Sequence, residues 1–467
     1  MYKIDFSNPC RIHFIGIGGI SMSGFAEYLH NIGYKVSGSD SHKSKITDHL
    51  TDLGIPVAIG QRAANITSDI DVVVYTAAIH EDNEEFVEVI NKKVPLLNRA
   101  ELIGQLMLNF DNAVAISGTH GKTTTTSMVS LIFMEGELDP TISVGGILDA
   151  IGGNIRMGKS EHFIAEACEY TNTFLSFFPK RSIILNIDED HLDFFKDLNE
   201  IRTSFHKFAK LLPENGQLFI NGEIDEYEAL TKDLSCEVFT YGIIDPSHRK
   251  TDLTYDYAAD NIVFDDFSTG SYDFYYRGTF IDRIKLNVIG LHNVSNSLPA
   301  IGLALQVGIP MDKIKSALLK FSGVERRFEL KGKVGGVTII DDYAHHPTEV
   351  TATLTAAKAY PHNNLWCVFQ PHTYTRMKAH LTHFAEALAL ADKIVVADIY
   401  AAREKDPGDI SSKDLLTELE KLGKEAYYFP CFDEIETFLL ENCMNGDLLI
   451  TMGAGDIVKV GEALLGL

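Results

Sequence analysis

The chain has 467 residues, and 41 lysines and arginines against 65 aspartates and glutamates give it a formal net charge of −24 at pH 7. This acidic balance argues against a general nucleic-acid binder, because such proteins need a basic face to displace counterions. The length exceeds that of one ordinary domain, and an apolar share of 45% is typical of a folded globular protein. We therefore expect several folded domains and no polymeric nucleic acid as partner.

The six cysteines are scattered and form no CxxC pair, which indicates reduced thiols rather than a disulfide framework or a zinc site. Residues 1–19 contain no apolar stretch of the signal-peptide kind, and no run of about 18 apolar residues occurs elsewhere. We therefore expect a cytoplasmic protein that does not bind membranes.

The first segment, residues 1–110, alternates short apolar strands with helical patterns, and this rhythm predicts a parallel sheet with crossover helices. Its first strand enters the turn FIGIGGISMSG, in which Gly16, Gly18 and Gly19 allow a tight turn and a close approach to a diphosphate. Asp40 ends the second strand, where a ribose-binding acid is expected. The pattern predicts a Rossmann-like domain for a diphosphate ligand, but it does not specify which nucleotide.

The second segment, residues 111–322, opens with the apolar strand AVAIS, a loop and a helix. The loop Gly118-Thr119-His120-Gly121-Lys122-Thr123-Thr124 has the core of a phosphate-binding loop, although it lacks the first glycine of the GxxxxGK[ST] spacing. Its backbone N–H groups would hold phosphates, Lys122 would contact the β- and γ-phosphates, and the Thr123 hydroxyl would reach Mg²⁺. The sequence therefore predicts an ATPase-type domain with a P-loop.

Acidic residues follow the next two predicted strands. Glu166 and Glu169 end HFIAEACEY, and residues 188–191 follow the strand in SIILNIDEDHLD. Carboxylates at neighbouring strand ends predict a Mg²⁺ site beside the phosphates, because this ion prefers oxygen ligands. On chemistry alone, His191 would be an unusual ligand for Mg²⁺.

Two further sheet regions complete the expected α/β architecture. Residues 254–288 are rich in Tyr, Phe, Ile and Thr between Asp and Gly breaks, which predicts antiparallel strands added to the central domain. The third segment, residues 323–467, contains four strand-to-loop passages: GVTIIDDYAHHP, NLWCVFQPH, KIVVADIY and DLLITMGAGD. They predict a C-terminal Rossmann-like domain with ligands at the strand carboxyl ends.

Taken in order, nine motifs resemble the Mur ligases of peptidoglycan synthesis, and the resemblance covers essentially the whole chain: FIGIGGISMSG, GTHGKTTTT, EACEY, NIDEDHLD, GLHNVSN, ERRFE, DDYAHHPTE, FQPHTYTR and MGAGD. The first turn is similar to that of the members that add L-alanine to UDP-N-acetylmuramate. The resemblance implies an ATP-dependent, amide-forming ligase in cytoplasmic cell-wall synthesis, and thereby in cell shape and division. It would act as a monomer or homodimer.

The resemblance also implies roles for individual residues. The UDP end of the substrate would be bound by Gly16, Gly18, Gly19, Ser21, Met22, Ser23 and Asp40. ATP would be bound by Gly118, Thr119, His120, Gly121, Lys122, Thr123, Thr124, His292, Asn293, Asn296, Arg327 and Asp342. Two Mg²⁺ ions would be held by Thr123, Glu166 and His191. The catalytic set would be Lys122, His191, His345, His346, His372 and Arg376, with Arg376 also contacting substrate.

The implied reaction has two steps. The muramoyl carboxylate attacks the γ-phosphate to give an acyl phosphate, and the amine of the amino acid then attacks the carbonyl. His345, His346 or His372 could take the proton from the amine, because histidine titrates near neutral pH. Each could equally have a purely structural hydrogen-bonding role. Hinge closure of the C-terminal domain would exclude water from the acyl phosphate.

Other functions explain less of the sequence. An NAD-dependent oxidoreductase would use the first turn but leave GTHGKTTTT without a role. A ligase similar to folylpolyglutamate synthase would share the phosphate loop but lack the N-terminal diphosphate domain. A non-enzymatic sensor of nucleotides or UDP-sugars has no need of a complete metal site. The choice among alanine, serine and glycine stays open, because one methyl group contributes only about 1–3 kcal/mol.

Overall fold

The computed structural model describes residues 2–76, 78–244, 255–265, 267–402 and 404–467. Within these ranges the chain forms three sheets, which define an N-terminal, a central and a C-terminal unit. Two positions of the predicted antiparallel segment, 254 and 266, lie outside the described residues. No helix formed by described residues has both the length and the apolar character needed to cross a bilayer.

The N-terminal unit is a parallel five-stranded sheet in the order β3-β2-β1-β4-β5. Its strands are β1 (Arg11–Ile15), β2 (Lys35–Asp40), β3 (Val57–Ile59), β4 (Val72–Tyr75) and β5 (Leu96–Asn98). Its helices are α1 (Ile20–Asn31), α2 (Lys45–Asp52), α3 (Glu84–Lys92) and α4 (Arg99–Met107), with a 3₁₀ turn at Ala63–Asn65. The strand order reverses between β1 and β4, and this is where ligands bind in open α/β sheets. The predicted Rossmann-like architecture is confirmed.

The central unit is a ten-stranded sheet in the order β15-β14-β13-β12-β11-β10-β6-β9-β7-β8. Its strands are β6 (Asn112–Ser117), β7 (Thr141–Leu148), β8 (Gly153–Arg156), β9 (His162–Glu166), β10 (Arg181–Ile184), β11 (Gln217–Asn221), β12 (Glu237–Ile243), β13 (Tyr257–Phe264), β14 (Thr269–Tyr276) and β15 (Thr279–Ile289). Its helices are α5 (Lys122–Glu135), α6 (Leu198–Ala209), α7 (Tyr227–Thr231), α8 (Leu291–Val307) and α9 (Met311–Lys320), with 3₁₀ segments at Asp149–Ile151 and Tyr170–Ser176. Strands β13, β14 and β15 pair antiparallel with their neighbours in this group, as predicted.

The C-terminal unit is a six-stranded sheet in the order β16-β17-β21-β18-β19-β20. Its strands are β16 (Glu329–Val334), β17 (Val337–Asp342), β18 (Leu365–Phe369), β19 (Lys393–Val396), β20 (Ala426–Tyr428) and β21 (Leu448–Met452). Its helices are α10 (Pro347–Lys358), α11 (Tyr374–Ala379), α12 (Leu381–Leu388), α13 (Ser412–Lys421), α14 (Phe432–Asn442) and α15 (Val458–Leu465). The sequence did not predict β16, which pairs antiparallel with β17, or the short strand β20.

The N-terminal and central units share one hydrophobic core. A single cluster of buried side chains runs from β1 and α4 to β9 and α6. At this junction Gly104 lies so close to the 170–176 segment that a Cβ would be 1.8 Å from the carbonyl oxygen of Ser176. The C-terminal unit has its own two clusters, one on each face of its sheet. Because no described cluster of buried apolar side chains includes strands of both the central and the C-terminal sheet, we expect the C-terminal unit to move more readily.

Candidate active site

The first glycine turn is held against the end of β2. The Gly18 N–H donates to Asp40 Oδ2 at 2.9 Å, and a Cβ on Gly18 would lie 2.8 Å from the same oxygen. Only glycine therefore fits at this position without displacing Asp40. Gly16 has a φ of +81°, and the helix α1 begins at Ile20. This geometry leaves a helix N-terminus at the carboxyl end of β1, which suits an anion.

The remaining residues predicted for this turn lie on the first part of α1. Ser21 Oγ accepts a hydrogen bond from Asn154 Nδ2 of the central unit at 3.0 Å, and Ser23 Oγ donates to the carbonyl of Ile20. The Met22 side chain is 2% exposed and belongs to the shared core. Met22 therefore contributes packing, and only its backbone is free to face a ligand.

The phosphate loop leads directly into α5. The sequence predicts a loop over GTHGKTTTT and a helix over SMVSLIFMEG, which begins at Ser127. The helix instead begins five residues earlier, at Lys122, because the threonines belong to its first turns and not to the loop. Gly121 has a φ of +82°, and a Cβ there would lie 2.6 Å from Asn296 Oδ1. Glycine at this position thus allows the start of α8 to approach the loop closely.

Lys122 and Glu169 form a buried ion pair beneath the loop. Lys122 Nζ donates to Glu169 Oε2 at 2.9 Å and to the carbonyls of Gly118 at 2.6 Å and Thr119 at 2.9 Å. Burial disfavours the charged ammonium, but Glu169 outweighs it and raises the pKa of Lys122. Burial likewise opposes the ionised form of Glu169, and Lys122 lowers the pKa of that carboxyl below its usual value. The pair is therefore charged on both sides at neutral pH.

The residues predicted to hold Mg²⁺ surround this pair. The Gly145 N–H donates to Glu166 Oε2 at 2.8 Å, and the Thr123 methyl would lie 3.2 Å from a Cβ on Gly146. Thr123 and Glu166 thus flank the same stretch of β7. His191 Nε2 lies 3.5 Å from Glu169 Oε1. Thr123 and Glu166 supply a hydroxyl and a carboxylate, the oxygen ligands that Mg²⁺ prefers, and His191 would add an imidazole nitrogen.

A cavity of about 300 Å³ lies between the central and C-terminal units. Residues predicted for ATP that line it are His120, Gly121, Thr123, Thr124, His292, Asn293, Asn296, Arg327 and Asp342. Gly118, Thr119 and Lys122 are not among the lining residues. Lys122 Nζ donates to the carbonyls of the other two and to Glu169. Other lining residues, including Asn186, Asp188, Phe328 and Glu349, were not predicted for this role. The structure therefore brings residues from distant motifs into one cavity next to the loop.

Asp342 supports the C-terminal wall of the cavity. Its carboxylate accepts the N–H groups of Phe328 at 2.9 Å and Ala344 at 2.7 Å. Burial raises the pKa of Asp342 to about 6, although Arg327 opposes the shift. Asp342 thereby fixes the backbone at Phe328 and at Ala344, two points of the C-terminal wall.

His120 connects the phosphate loop with the C-terminal unit. Its Nε2 lies 3.3 Å from Asp188 Oδ2, and its Nδ1 lies 3.2 Å from Glu349 Oε1. Burial works against a charged ring, but the hydrogen bonds to the two carboxylates raise the pKa of His120 to about 9. At neutral pH a protonated His120 donates to both acids and joins the two units.

Arg376 makes a second connection between the same units. Its Nε and Nη2 donate to Asp190 Oδ1 at 3.0 and 2.9 Å, and its Nη1 lies 3.1 Å from His372 Nδ1. A small cavity beside the pair is lined by Asp190, His191, Leu192, Asp193, Thr373, Thr375, Arg376 and His380. The structure thus places Arg376 beside His191, which belongs to the predicted metal site.

His345 and His346 lie between the two connections. The His345 ring lies edge-on to that of His372, with centroids 5.6 Å apart. Burial is the main cause that lowers the pKa of both His345 and His346 to about 4. Both rings are therefore neutral at pH 7, so neither contributes charge to the site.

Four acids of this region have no individual role predicted from the sequence: Glu169, Asp188, Asp190 and Glu349. The first three lie within acidic clusters that were recognised as a group. Glu349 lies one turn into α10 within the motif DDYAHHPTE. The sequence places each of these acids near a histidine or lysine of a motif. Which acid contacts which base depends on how the central and C-terminal sheets pack together.

Comparison with known proteins shows the family to which the chain belongs. Three family models match the chain: the Mur ligase family catalytic domain over residues 11–111, the Mur ligase middle domain over 116–304, and the Mur ligase glutamate ligase domain over 326–455. The chain belongs to the Mur ligase family. This membership confirms the resemblance found in the sequence and the three-part α/β fold.

The chain is similar over its whole length to Mur ligases named UDP-N-acetylmuramate–L-alanine ligase. UDP-N-acetylmuramate–L-alanine ligases of Lachnoclostridium phytofermentans and Agathobacter rectalis are 62% and 57% identical, and each match covers 100% of both chains. The crystal structure of UDP-N-acetylmuramate–alanine ligase from Thermotoga maritima has a TM-score of 0.79, with 30% identity over 98% of each chain.

Proposed function

We propose that this Mur ligase uses ATP to join L-alanine to the carboxylate of UDP-N-acetylmuramate through an acyl phosphate, in peptidoglycan precursor synthesis. The observation that carries the proposal is the 62% identity over the whole chain to a ligase of that name. A glycine turn for a diphosphate and a phosphate loop beside a cavity between units support it. An oxidoreductase would leave the second feature without a use.

The proposed division of labour follows the three units, with domains at 1–110, 111–322 and 323–467. The turn at residues 16–23, with Asp40, binds the UDP end of the substrate. ATP lies in the cavity of about 300 Å³, with its phosphates toward the loop. Thr123, Glu166 and His191 would hold two Mg²⁺ ions, which would supply positive charge to neutralise the phosphates and polarise the reacting oxygens.

The residues of the chain prepare the phosphoryl transfer chiefly by positioning and charge. The start of α5 directs backbone N–H groups toward the phosphates. Lys122 exchanges contacts with Glu169 and the loop carbonyls for contacts with phosphate oxygens, so that its charge opposes the charge that develops in transfer. Glu169 keeps the ammonium protonated and pointed into the site until ATP arrives.

The C-terminal unit supplies the groups for the second step. Arg376 binds the carboxylate of the amino acid, and His372 orients the guanidinium through Nη1. A neutral His345 or His346 can accept a proton from the attacking amine. Approach of this unit to the central unit through His120 and Arg376 excludes water from the acyl phosphate.

The test is phosphate release by the purified full-length chain with ATP, Mg²⁺ and UDP-N-acetylmuramate. We expect release on addition of L-alanine, and weaker release with glycine or L-serine, because a methyl group contributes about 1–3 kcal/mol to discrimination. Absence of release with all three amino acids would refute the proposal. We further propose that the protein acts in the cytoplasm as a monomer or homodimer. A measurement of its mass in solution distinguishes the two oligomeric states.

A further inference from the structure

Two histidines and one aspartate meet where the central and C-terminal units join. They are His120 of the phosphate loop, Asp188 of the loop after β10, and His346 at the N-cap of α10. One possible ligand atom from each lies within 4.8 Å of the others. Asp188 Oδ2 is 3.3 Å from His120 Nε2 and 3.8 Å from His346 Nδ1.

In each imidazole ring, the nitrogen that faces away from Asp188 already has a hydrogen-bond partner. His346 Nε2 lies 3.1 Å from the carbonyl oxygen of Glu189, and a carbonyl only accepts, so this nitrogen carries the hydrogen. The lone pair of His346 is therefore on Nδ1, which faces Asp188 and receives only a long 3.3 Å contact from the Thr348 N–H. His120 Nδ1 lies 3.2 Å from Glu349 Oε1, which accepts its hydrogen.

This arrangement is the one found around metal-binding histidines. Their second ring nitrogen donates to a carboxylate or backbone carbonyl, which fixes the ring and its tautomer. Tetrahedral zinc with bonds of about 2.0 Å separates its ligand atoms by about 3.3 Å. The distances from Asp188 Oδ2 already come close to this spacing. Binding requires that His120 give up the hydrogen on Nε2 and that His346 Nδ1 exchange the Thr348 N–H for the ion.

We propose that His120, Asp188 and His346 form a binding site for a zinc-class divalent cation, separate from the Mg²⁺ site at Thr123, Glu166 and His191. Two imidazoles and one carboxylate suit Zn²⁺, whereas Mg²⁺ favours oxygen ligands. His120 and Asp188 also line the cavity, so the fourth coordination position opens toward it. Because the ligands come from two units, the ion holds the C-terminal unit against the central unit without nucleotide.

The test is a Zn²⁺ titration of the full-length chain in excess Mg²⁺ without nucleotide, with a chromogenic chelator as competitor. We expect the wild-type chain to bind Zn²⁺, and Asp188→Asn and His346→Gln each to weaken binding at least tenfold. Glu349→Gln leaves the three ligands in place but replaces the ionised acceptor that fixes His120 with a neutral amide, which accepts more weakly, and should weaken binding about tenfold. Exposed His383 on α12 supplies the control, and His383→Gln should leave the affinity within twofold.

Circular dichroism of each metal-free variant shows whether it is folded. If His346→Gln does not fold because α10 loses its cap, Asp188→Asn and Glu349→Gln carry the test. His191→Gln separates the two candidate sites and should keep the Zn²⁺ affinity. The proposal is wrong if the wild-type chain does not bind Zn²⁺, if the folded cluster variants bind it as tightly as wild type, or if His191→Gln alone abolishes binding.

Discussion

The ammonium of Lys122 lies 2.9 Å from Glu169 Oε2, and the carboxylate, 2% exposed, also lies 3.5 Å from His191 Nε2. Glu169 therefore connects the loop lysine with the histidine predicted to bind Mg²⁺. A buried pair of this kind keeps both partners ionised. Because of this pair, Lys122 must leave Glu169 and the loop carbonyls in order to contact the phosphates of bound ATP.

Replacement of Lys122 tests the role of the loop. We expect Lys122→Ala to lower ADP release about 100-fold or more, since removal of one transition-state contact has effects of this size. Binding of UDP-N-acetylmuramate, measured by calorimetry, should remain near wild type. Lys333→Ala, at an exposed lysine of β16, should change neither quantity. Near-normal turnover by Lys122→Ala would contradict the loop assignment.

Gly18 tests the separate site for the UDP end. A side chain at this position would displace Asp40, because the Cβ alone would lie 2.8 Å from Oδ2. Gly18→Val should therefore weaken binding of UDP-N-acetylmuramate at least tenfold and leave ATP binding within about twofold. Gly153→Val is the matched control, because a Cβ on Gly153 meets no atom within 4 Å. Equal weakening of both ligands by Gly18→Val would argue against two separate sites.

The Arg376–Asp190 pair is predicted to stabilise the contact between the units only while both partners are present. Arg376→Met should reduce the free energy of unfolding by about 3–5 kcal/mol, because it leaves a buried carboxylate without a partner. The double variant Arg376→Met, Asp190→Leu should recover much of that loss. The surface pair Lys393–Glu425 provides the comparison, and its removal should have a much smaller effect on the free energy of unfolding, because solvent screens the two charges. Denaturant titration measures each value.

The same pair predicts a pH dependence. Burial opposes ionisation of Asp190, but Arg376 outweighs burial and holds the pKa of the carboxyl well below its ordinary value of 3.8. A depressed carboxyl pKa contributes stability above the ordinary value, and this contribution is lost as pH falls below it. The difference in unfolding free energy between wild type and Asp190→Asn should thus be constant from pH 7 to 5 and shrink below pH 4. A difference that shrinks between pH 7 and 5 would contradict the ion pair.

Thiol reactivity should follow burial. Cys431 is exposed, whereas Cys236 and Cys367 are buried, and burial raises the pKa of both buried thiols. The thiolate is the reactive form, so a disulfide reagent at pH 8 should modify Cys431 first and Cys367 only on unfolding. Mass spectrometry of the labelled peptides identifies the sites, and Cys431→Ser should remove the fast phase. Fast labelling of Cys367 in the folded chain would contradict its position in the core.

Local patterns were sufficient for much of the fold. The glycine turns, the apolar strands and the crossover helices follow from residue types within ten or so positions. Strand β16 was missed because its sequence, ELKGKV, has little apolar character, and its pairing with β17 depends on the hairpin that joins them. The start of α5 was misjudged because four threonines in succession favour a loop by propensity, while buried packing of Thr125 and Thr126 favours the helix.

The candidate site shows the same division. Motif spacing predicted Lys122, because it belongs to a recognisable phosphate loop, and the family resemblance implied roles for His120 and Arg376. Their partners could not be predicted in the same way, since Glu349 and Asp190 approach across a contact between two sheets. Only the tertiary structure determines that His120 lies against Glu349 rather than another acid.

The acyl phosphate is the central claim about the chemistry, and oxygen transfer tests it most directly. UDP-N-acetylmuramate labelled with ¹⁸O in its carboxylate is incubated with the full-length chain, ATP, Mg²⁺ and L-alanine, and the released phosphate is analysed by mass spectrometry. If the carboxylate attacks the γ-phosphate, one labelled oxygen passes into each phosphate as the amide forms. Amide formation with unlabelled phosphate would contradict the account.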